Sequence, residues 1–173
     1  MTADLDLATL SVRQVNAALQ QAQEGSYRVL HPGGAHALAC GLDAPLEISI
    51  DGHAGYYCAG MSKEADITVM GNAGTGCAEN VMSGSVRVKG DVSQSLAASG
   101  HGGLVVVEGS ASARAGISMK GVDIVVGHLA LDQDRKRDQA LAHRLAHLFG
   151  GSLLLDRLVD AVFDEDLLQT FGV

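Results

Sequence analysis

Short runs of alternating apolar and polar residues recur along the chain, and each ends at a glycine followed by small residues. "LEISIDG" begins at Leu46, "DITVMG" at Asp66 and "SVRVKG" at Ser85. A period of two residues places the apolar side chains on one face of an extended segment. Each run therefore predicts a short β-strand with one buried face, followed by a corner.

The interval between the corners is constant. Five glycines stand 19 residues apart, and we predict that they are structural corner residues: Gly33, Gly52, Gly71, Gly90 and Gly109. Four positions before each glycine stand Val29, Ile48, Ile67, Val86 and Val105, and two before stand His31, Ile50, Val69, Val88 and Val107. Small or apolar residues fill the positions two and six after it. Glycine suits a corner where φ is positive or where the backbone lies too close to a neighbour for a Cβ atom.

A repeat of this length limits the fold. It is too short for a pair of helices, which needs about 33 residues, or for a βαβ unit of about 30. We predict a mainly β fold, a right-handed parallel β-helix (a single-stranded β-solenoid) with about 19 residues per coil and five coils roughly 25 Å tall. The alternative is a sandwich of antiparallel strands, in which turns recur at about 8–12 residues and at uneven intervals.

The two ends depart from the repeat. In "SVRQVNAALQQAQ", Ser11 and Gln14 form a capping-box pattern, which predicts an amphipathic helix that covers the first coil or docks on a partner. Ile124 and Val126 continue the apolar positions, but Gly127 arrives one residue early. The sequence that follows predicts a C-terminal helical hairpin. We therefore expect a helical segment at 1–26, the β-helix at 27–127 and a helical tail at 128–173.

Composition narrows the partners and the compartment. The net charge is −8, with 12 basic against 20 acidic residues, which argues against nucleic acid or an anionic membrane as a partner. No signal-peptide pattern and no apolar run of about 18 residues occurs. The three cysteines are an odd number without a CxxC motif, so we expect a reducing, cytoplasmic location.

Few residues offer chemistry. Cys58 and Cys77 fall at the same position of adjacent coils, about 5 Å apart, so a disulfide is within reach, but buried small apolar side chains are the favoured interpretation. His143 and His147 have helical i, i+4 spacing, which suits zinc or a solvated pair. Adjacent Tyr56 and Tyr57 predict either a partner interface or plain packing, with one ring facing outward. We expect no catalytic, cofactor-binding or metal-binding residue.

Four longer segments carry a family resemblance: "HPGGAHALACGLDAP" (31–45), "DGHAGYYCAGMSKEA" (51–65), "GNAGTGCAENVMSGSVRVKGD" (71–91) and "ASARAGISMKGVDIVV" (111–126). Over somewhat more than half of its length, the chain resembles the GXGXG domain, the β-helix at the C-terminus of the glutamate synthase large subunit. It is most similar to the stand-alone GXGXG subunit of N-methylglutamate synthase (methylamine–glutamate N-methyltransferase). Family members continue for further coils after a sequence like "DIVV", whereas helical sequence follows here.

The resemblance implies a non-catalytic scaffold subunit. It would hold an amidotransferase-like subunit and an FMN-binding synthase subunit in register, with FMN and an iron–sulfur cluster on those partners and none on this chain. The chain lacks an N-terminal nucleophilic cysteine, cluster-type cysteine spacing and a glycine-rich nucleotide motif, so we expect it to supply no catalytic residue of its own. Whether it acts as an enzyme or only as a subunit of an enzyme complex stays open.

Two other functions remain open. The first is an independent solenoid enzyme, either an acyltransferase or a sugar-active enzyme. The apolar positions lack the six-residue period of acyltransferase solenoids, and Asn72 and Ser110 interrupt the acidic positions beside the glycines at Asp51 and Asp91, which a sugar-active site would need. The second is a self-associating structural protein, a homo-oligomer that stacks solenoids end to end. The predicted helical tail opposes that stacking.

Overall fold

The computed structural model describes residues 2–129, which form one all-parallel sheet of seven strands in the order β1 to β7. The strands are β1 (Thr2–Asp6), β2 (Gly25–Leu30), β3 (Leu46–Ile50), β4 (Asp66–Val69), β5 (Ser85–Val88), β6 (Leu104–Ala111) and β7 (Asp123–Leu129). One helix, α1 (Val12–Gln21), lies between β1 and β2. The chain returns after each strand to add the next one in parallel, which makes a β-solenoid of about five turns with about 19 residues per turn. The predicted β-solenoid is confirmed.

We number the coils by the strand that opens each, from coil 1 with β2 to coil 5 with β6, and call equivalent positions in successive coils a column. Ile48 pairs with Ile67, Ile67 with Val86, Val86 with Val105, and Val105 with Ile124. All five side chains are at most 3% exposed. The 19-residue column of buried apolar residues predicted four positions before each glycine is therefore confirmed from coil 2 onward.

Coil 1 does not follow the predicted register. Val29 pairs with Ile50, and Tyr27, not Val29, pairs with Ile48. The two residues that shift the register lie in the turn after β2, where His31 (φ 52) and Gly33 (φ 53) both adopt left-handed backbone conformations. The prediction that His31 shares a buried column with Ile50 and Val69 is wrong, because His31 is an exposed turn residue whose ring forms a hydrogen bond with Asp6 Oδ1.

The last described strand, β7, stays paired with β6 past the corner position, with a shift of register. Val107 pairs with Val126, but beyond an irregularity Ser110 pairs with His128 and Ala111 with Leu129. Two residues of β6, Glu108 and Gly109, therefore lie opposite the single Gly127 of β7, as in a β-bulge. Gly127 stands one position earlier than the corner glycines of the other coils. The predicted helical hairpin in 128–173 lies outside the described residues, apart from the end of β7.

The N-terminal end of the solenoid is covered by α1. Ser11 caps the helix, and the capping box with Gln14 is present on both sides, as the sequence predicts. The inward side chains Val15 and Leu19 are fully buried against the core. β1 was not predicted, since its residues are mostly exposed and its alternation is brief. It pairs with β2, and Arg28 holds its Asp4 through two hydrogen bonds of 3.2 and 3.0 Å.

Side-chain amides of α1 replace the missing coil below coil 1. In later coils, the backbone N–H at this position donates to a backbone carbonyl of the coil before, from Ala59 to Leu38 and from Ala78 to Cys58. Ala39 has no such coil beneath it, and its N–H donates instead to Asn16 Oδ1 at 2.9 Å. Asn16 Nδ2 also donates to the Ala37 carbonyl at 2.6 Å. The helix thus closes the hydrogen-bonding edge that a solenoid would otherwise expose.

Replacing Asn16 by alanine is expected to lower the free energy of unfolding by about 2 kcal/mol, because it leaves a donor and an acceptor of coil 1 unpaired in a half-buried place. Urea denaturation of the full chain measures the change. Arg13→Ala, on the exposed side of the same helix, is the control and should change stability by less than about 0.5 kcal/mol. Equal effects of the two substitutions would show that Asn16 does not close the edge.

Candidate functional site

The corner glycines of coils 3 to 5 stack on one another. A Cβ atom at Gly71 would lie 2.8 Å from the carbonyl carbon of Gly52, and one at Gly109 would lie 2.8 Å from the carbonyl oxygen of Gly90. Gly90 has the same relation to Gly71, at 3.0 Å. Real Cβ atoms do not approach backbone so closely, so these positions require glycine. Gly33 differs, since no heavy atom would lie closer than 3.9 Å to its Cβ and only its positive φ of 53° favours glycine.

A ladder of side chains runs beside the stacked glycines. The N–H of Asn72 donates to His53 Nδ1 at 2.9 Å, that of Asp91 to Asn72 Oδ1 at 3.0 Å, and that of Ser110 to Asp91 Oδ1 at 2.8 Å. Each acceptor lies in the space that a Cβ on the neighbouring glycine would need. The sequence analysis missed this column because it aligned Asp91 with Asp51. Asp51 precedes its corner glycine, whereas Asp91 follows Gly90, so the residue equivalent to Asp91 in coil 2 is His53. These polar residues hold the coils together.

Tyr56 and Tyr57 both face outward, with 53% and 51% of their surface exposed. The Tyr56 ring stacks on His36, with centroids 4.6 Å apart and planes at 12°, and the Tyr56 backbone N–H donates to His36 Nδ1. Each ring also packs over a glycine of the next coil. A Cβ atom built on Gly74 would lie 2.9 Å from Tyr56 Cδ1, and one built on Gly76 would lie 2.8 Å from Tyr57 Cδ1. The sequence predicts one exposed ring, and the structure has two.

The cysteines do not form a reactive site. Cys58 and Cys77 are free thiols and fully buried, so the interpretation as small apolar core residues is confirmed. Burial raises the pKa of Cys58 well above its usual value and that of Cys77 to about 12, which keeps both protonated at neutral pH. Cys40 is partly buried, its pKa is raised by burial, and its S–H donates to the Tyr57 carbonyl at 2.6 Å.

The described part of the chain offers neither a metal site nor a membrane span. Residues 2–129 contain no group of three or more histidine, cysteine or carboxylate side chains placed to hold a metal ion. His143 and His147, the pair with helical spacing in the sequence, lie outside this range. Within the same residues, no helix combines the length and apolar character needed to cross a bilayer.

Comparison with known proteins gives a match over a limited part of the chain. The chain is 49% identical over 59 residues to Protein GlxC of Rhizobium meliloti (strain 1021), which is 32% of this chain and 26% of that protein. No family model matches the sequence. No solved structure matches it either. The chain therefore covers about a quarter of this curated relative, and the match partly supports the resemblance to glutamate-synthase-like proteins of the GXGXG type.

Proposed function

We propose that this chain is a non-catalytic scaffold subunit of a glutamate-synthase-like complex, of the N-methylglutamate synthase type. The observation that carries the proposal is the use of the polar side chains at the corners. The ladder residues His53, Asn72 and Asp91 accept backbone hydrogen bonds from the next coil, so their chemistry maintains the stack. The interior is filled with apolar side chains. A rigid, filled rod suits the positioning of other subunits.

The proposed partners are a flavoprotein subunit and an amidotransferase-like subunit, which would carry the FMN, the iron–sulfur cluster and the reacting groups. The family resemblance and the match to Protein GlxC support this assignment. The exposed Tyr56 and Tyr57 are the proposed contact residues, because half-exposed aromatic side chains are common interface anchors. We propose the cytoplasm as the location, in accord with the three free cysteines.

The N-terminal cap bears on the self-assembly alternative. A protein that stacks its solenoids end to end needs open coil edges at both ends. At the N-terminal end, α1 buries Leu19 against the core, and Asn16 occupies the hydrogen-bonding groups of coil 1 that a second copy would use. This arrangement favours lateral docking of partners over end-to-end growth.

Co-expression with the proteins encoded by neighbouring genes tests the proposal, which expects a flavoprotein and an amidotransferase-like protein among them. With an affinity tag on this chain, we expect both partners in a fixed ratio and a flavin absorbance spectrum in the purified complex. The chain purified alone should show neither flavin nor turnover of glutamine, methylamine or glutamate. Turnover by the chain alone would contradict the scaffold role, and so would its failure to retain either partner.

A further inference from the structure

Tyr57 and Glu79 lie next to each other on the outer surface of coils 2 and 3, where both side chains cover Gly76. A Cβ atom at Gly76 would lie 2.8 Å from Tyr57 Cδ1 and 2.9 Å from Glu79 Oε2, and Gly76 is buried, so the aromatic ring and the carboxylate fill the space beside this glycine. Within residues 2–129, no basic side chain forms an ion pair with Glu79. Tyr57 and Glu79 thus present a ring and a carboxylate close enough for one planar cation to contact both.

The backbone of Tyr57 is firmly held. Its φ of 58° is left-handed, and Gly76, Ser95 and Arg114 in the same column of the later coils share this conformation, so the stacking of the coils imposes it. The Tyr57 N–H donates to the Thr75 carbonyl at 2.9 Å, and its carbonyl accepts the Cys40 S–H at 2.6 Å. A rigid exposed ring also loses little freedom when a partner binds.

We propose that Tyr57 and Glu79, side by side over Gly76, bind an arginine side chain of a partner protein subunit. A guanidinium can stack on a tyrosine ring and pair with a carboxylate at the same time, which the compact ammonium of lysine does less well. The chain's net charge of −8 favours a basic partner surface. Tyr56 and Met61, 53% and 60% exposed, provide apolar contact around the ion pair. The inference rests on the proposed function, because it specifies what the partner subunit presents.

Titration of the isotopically labelled full chain with the peptide acetyl-Gly-Arg-Gly-amide tests the chemistry directly. We expect the NMR signals of Tyr57, Gly76 and Glu79 to shift, and Glu79→Gln to weaken binding at least five-fold. Glu64→Gln, which removes an exposed carboxylate of coil 2, is the control and should leave binding unchanged. The corresponding lysine peptide should bind at least three-fold more weakly. Absence of these shifts, or equal binding by Glu79→Gln or by the lysine peptide, would overturn the assignment.

The co-expressed complex separates this inference from the scaffold role. Glu79→Arg should reduce the retained partner subunits at least ten-fold, whereas Glu64→Arg should retain them. If the unmodified chain retains both partners and Glu79→Arg does too, the proposed arginine site is wrong and the scaffold role stands. If the unmodified chain retains no partner, the scaffold role itself fails. Self-association of the chain that Glu79→Arg abolishes would assign the arginine site to a second copy and overturn the partner-subunit proposal.

Discussion

Replacing Ile67 by alanine is expected to lower the free energy of unfolding by about 4 kcal/mol, because it opens a cavity in the middle of the core. Ile67 is 1% exposed and lies in the buried column four positions before the corner glycines, between Ile48 in the coil before and Val86 in the coil after. Truncation removes three buried carbon atoms and leaves a space that two flanking coils, each fixed by its own ladder, cannot fill. Urea denaturation followed by circular dichroism measures the change.

Two further substitutions on the same strand calibrate the Ile67 result. Ile67→Val removes a single methyl group and should cost about 1 kcal/mol. Thr68→Val keeps the β-branched shape at the next residue, which points out of the solenoid and is partly exposed, and should stay within about 0.5 kcal/mol. If Ile67→Ala cost no more than Thr68→Val, the assignment of inner and outer faces would be wrong.

The part of the fold that the sequence predicts well is the part where two independent patterns agree. From Ile48 to Ile124, the alternation of apolar residues and the 19-residue interval specify the same register, and the pairing follows it. In coil 1 the patterns disagree. Gly33 stands 19 residues before Gly52, but polar His31 occupies an expected core position. The glycine interval is misleading there, because the turn after β2 holds two more residues than the other corners.

Several features of the candidate site depend on contacts between coils, which a single sequence does not display. The left-handed backbone at Tyr57, Met61 and Glu64 runs against the local preferences of these residue types and is imposed by stacking. The amide of Asn16 acts as a substitute peptide group only because α1 lies under coil 1. The side-chain ladder is within reach of sequence reasoning, since a hydrogen-bonding residue follows each of the corner glycines from Gly52 to Gly109.

Replacing Gly71 by alanine is expected to cost about 3 kcal/mol, although it adds a single methyl group at the surface of the solenoid. The new Cβ would lie 2.7 Å from His53 Nδ1, 2.8 Å from the Gly52 carbonyl carbon and 2.9 Å from its oxygen. The histidine side chain can move aside, but it then releases its hydrogen bond to the Asn72 N–H. The Gly52 backbone cannot move without separating coil 2 from coil 3, so overpacking adds to the lost bond.

Gly33→Ala provides the matched comparison, because Gly33 has the same place in the 19-residue repeat of the sequence but lies in open space. Its substitution should cost only the roughly 1 kcal/mol of an alanine in the left-handed region. Denaturation of the two variants side by side therefore separates the two uses of glycine, close stacking at Gly71 and backbone freedom at Gly33. Similar losses at the two positions would mean that the corners are held by backbone conformation alone, and the stacking of coil upon coil through the glycine column would have to be abandoned.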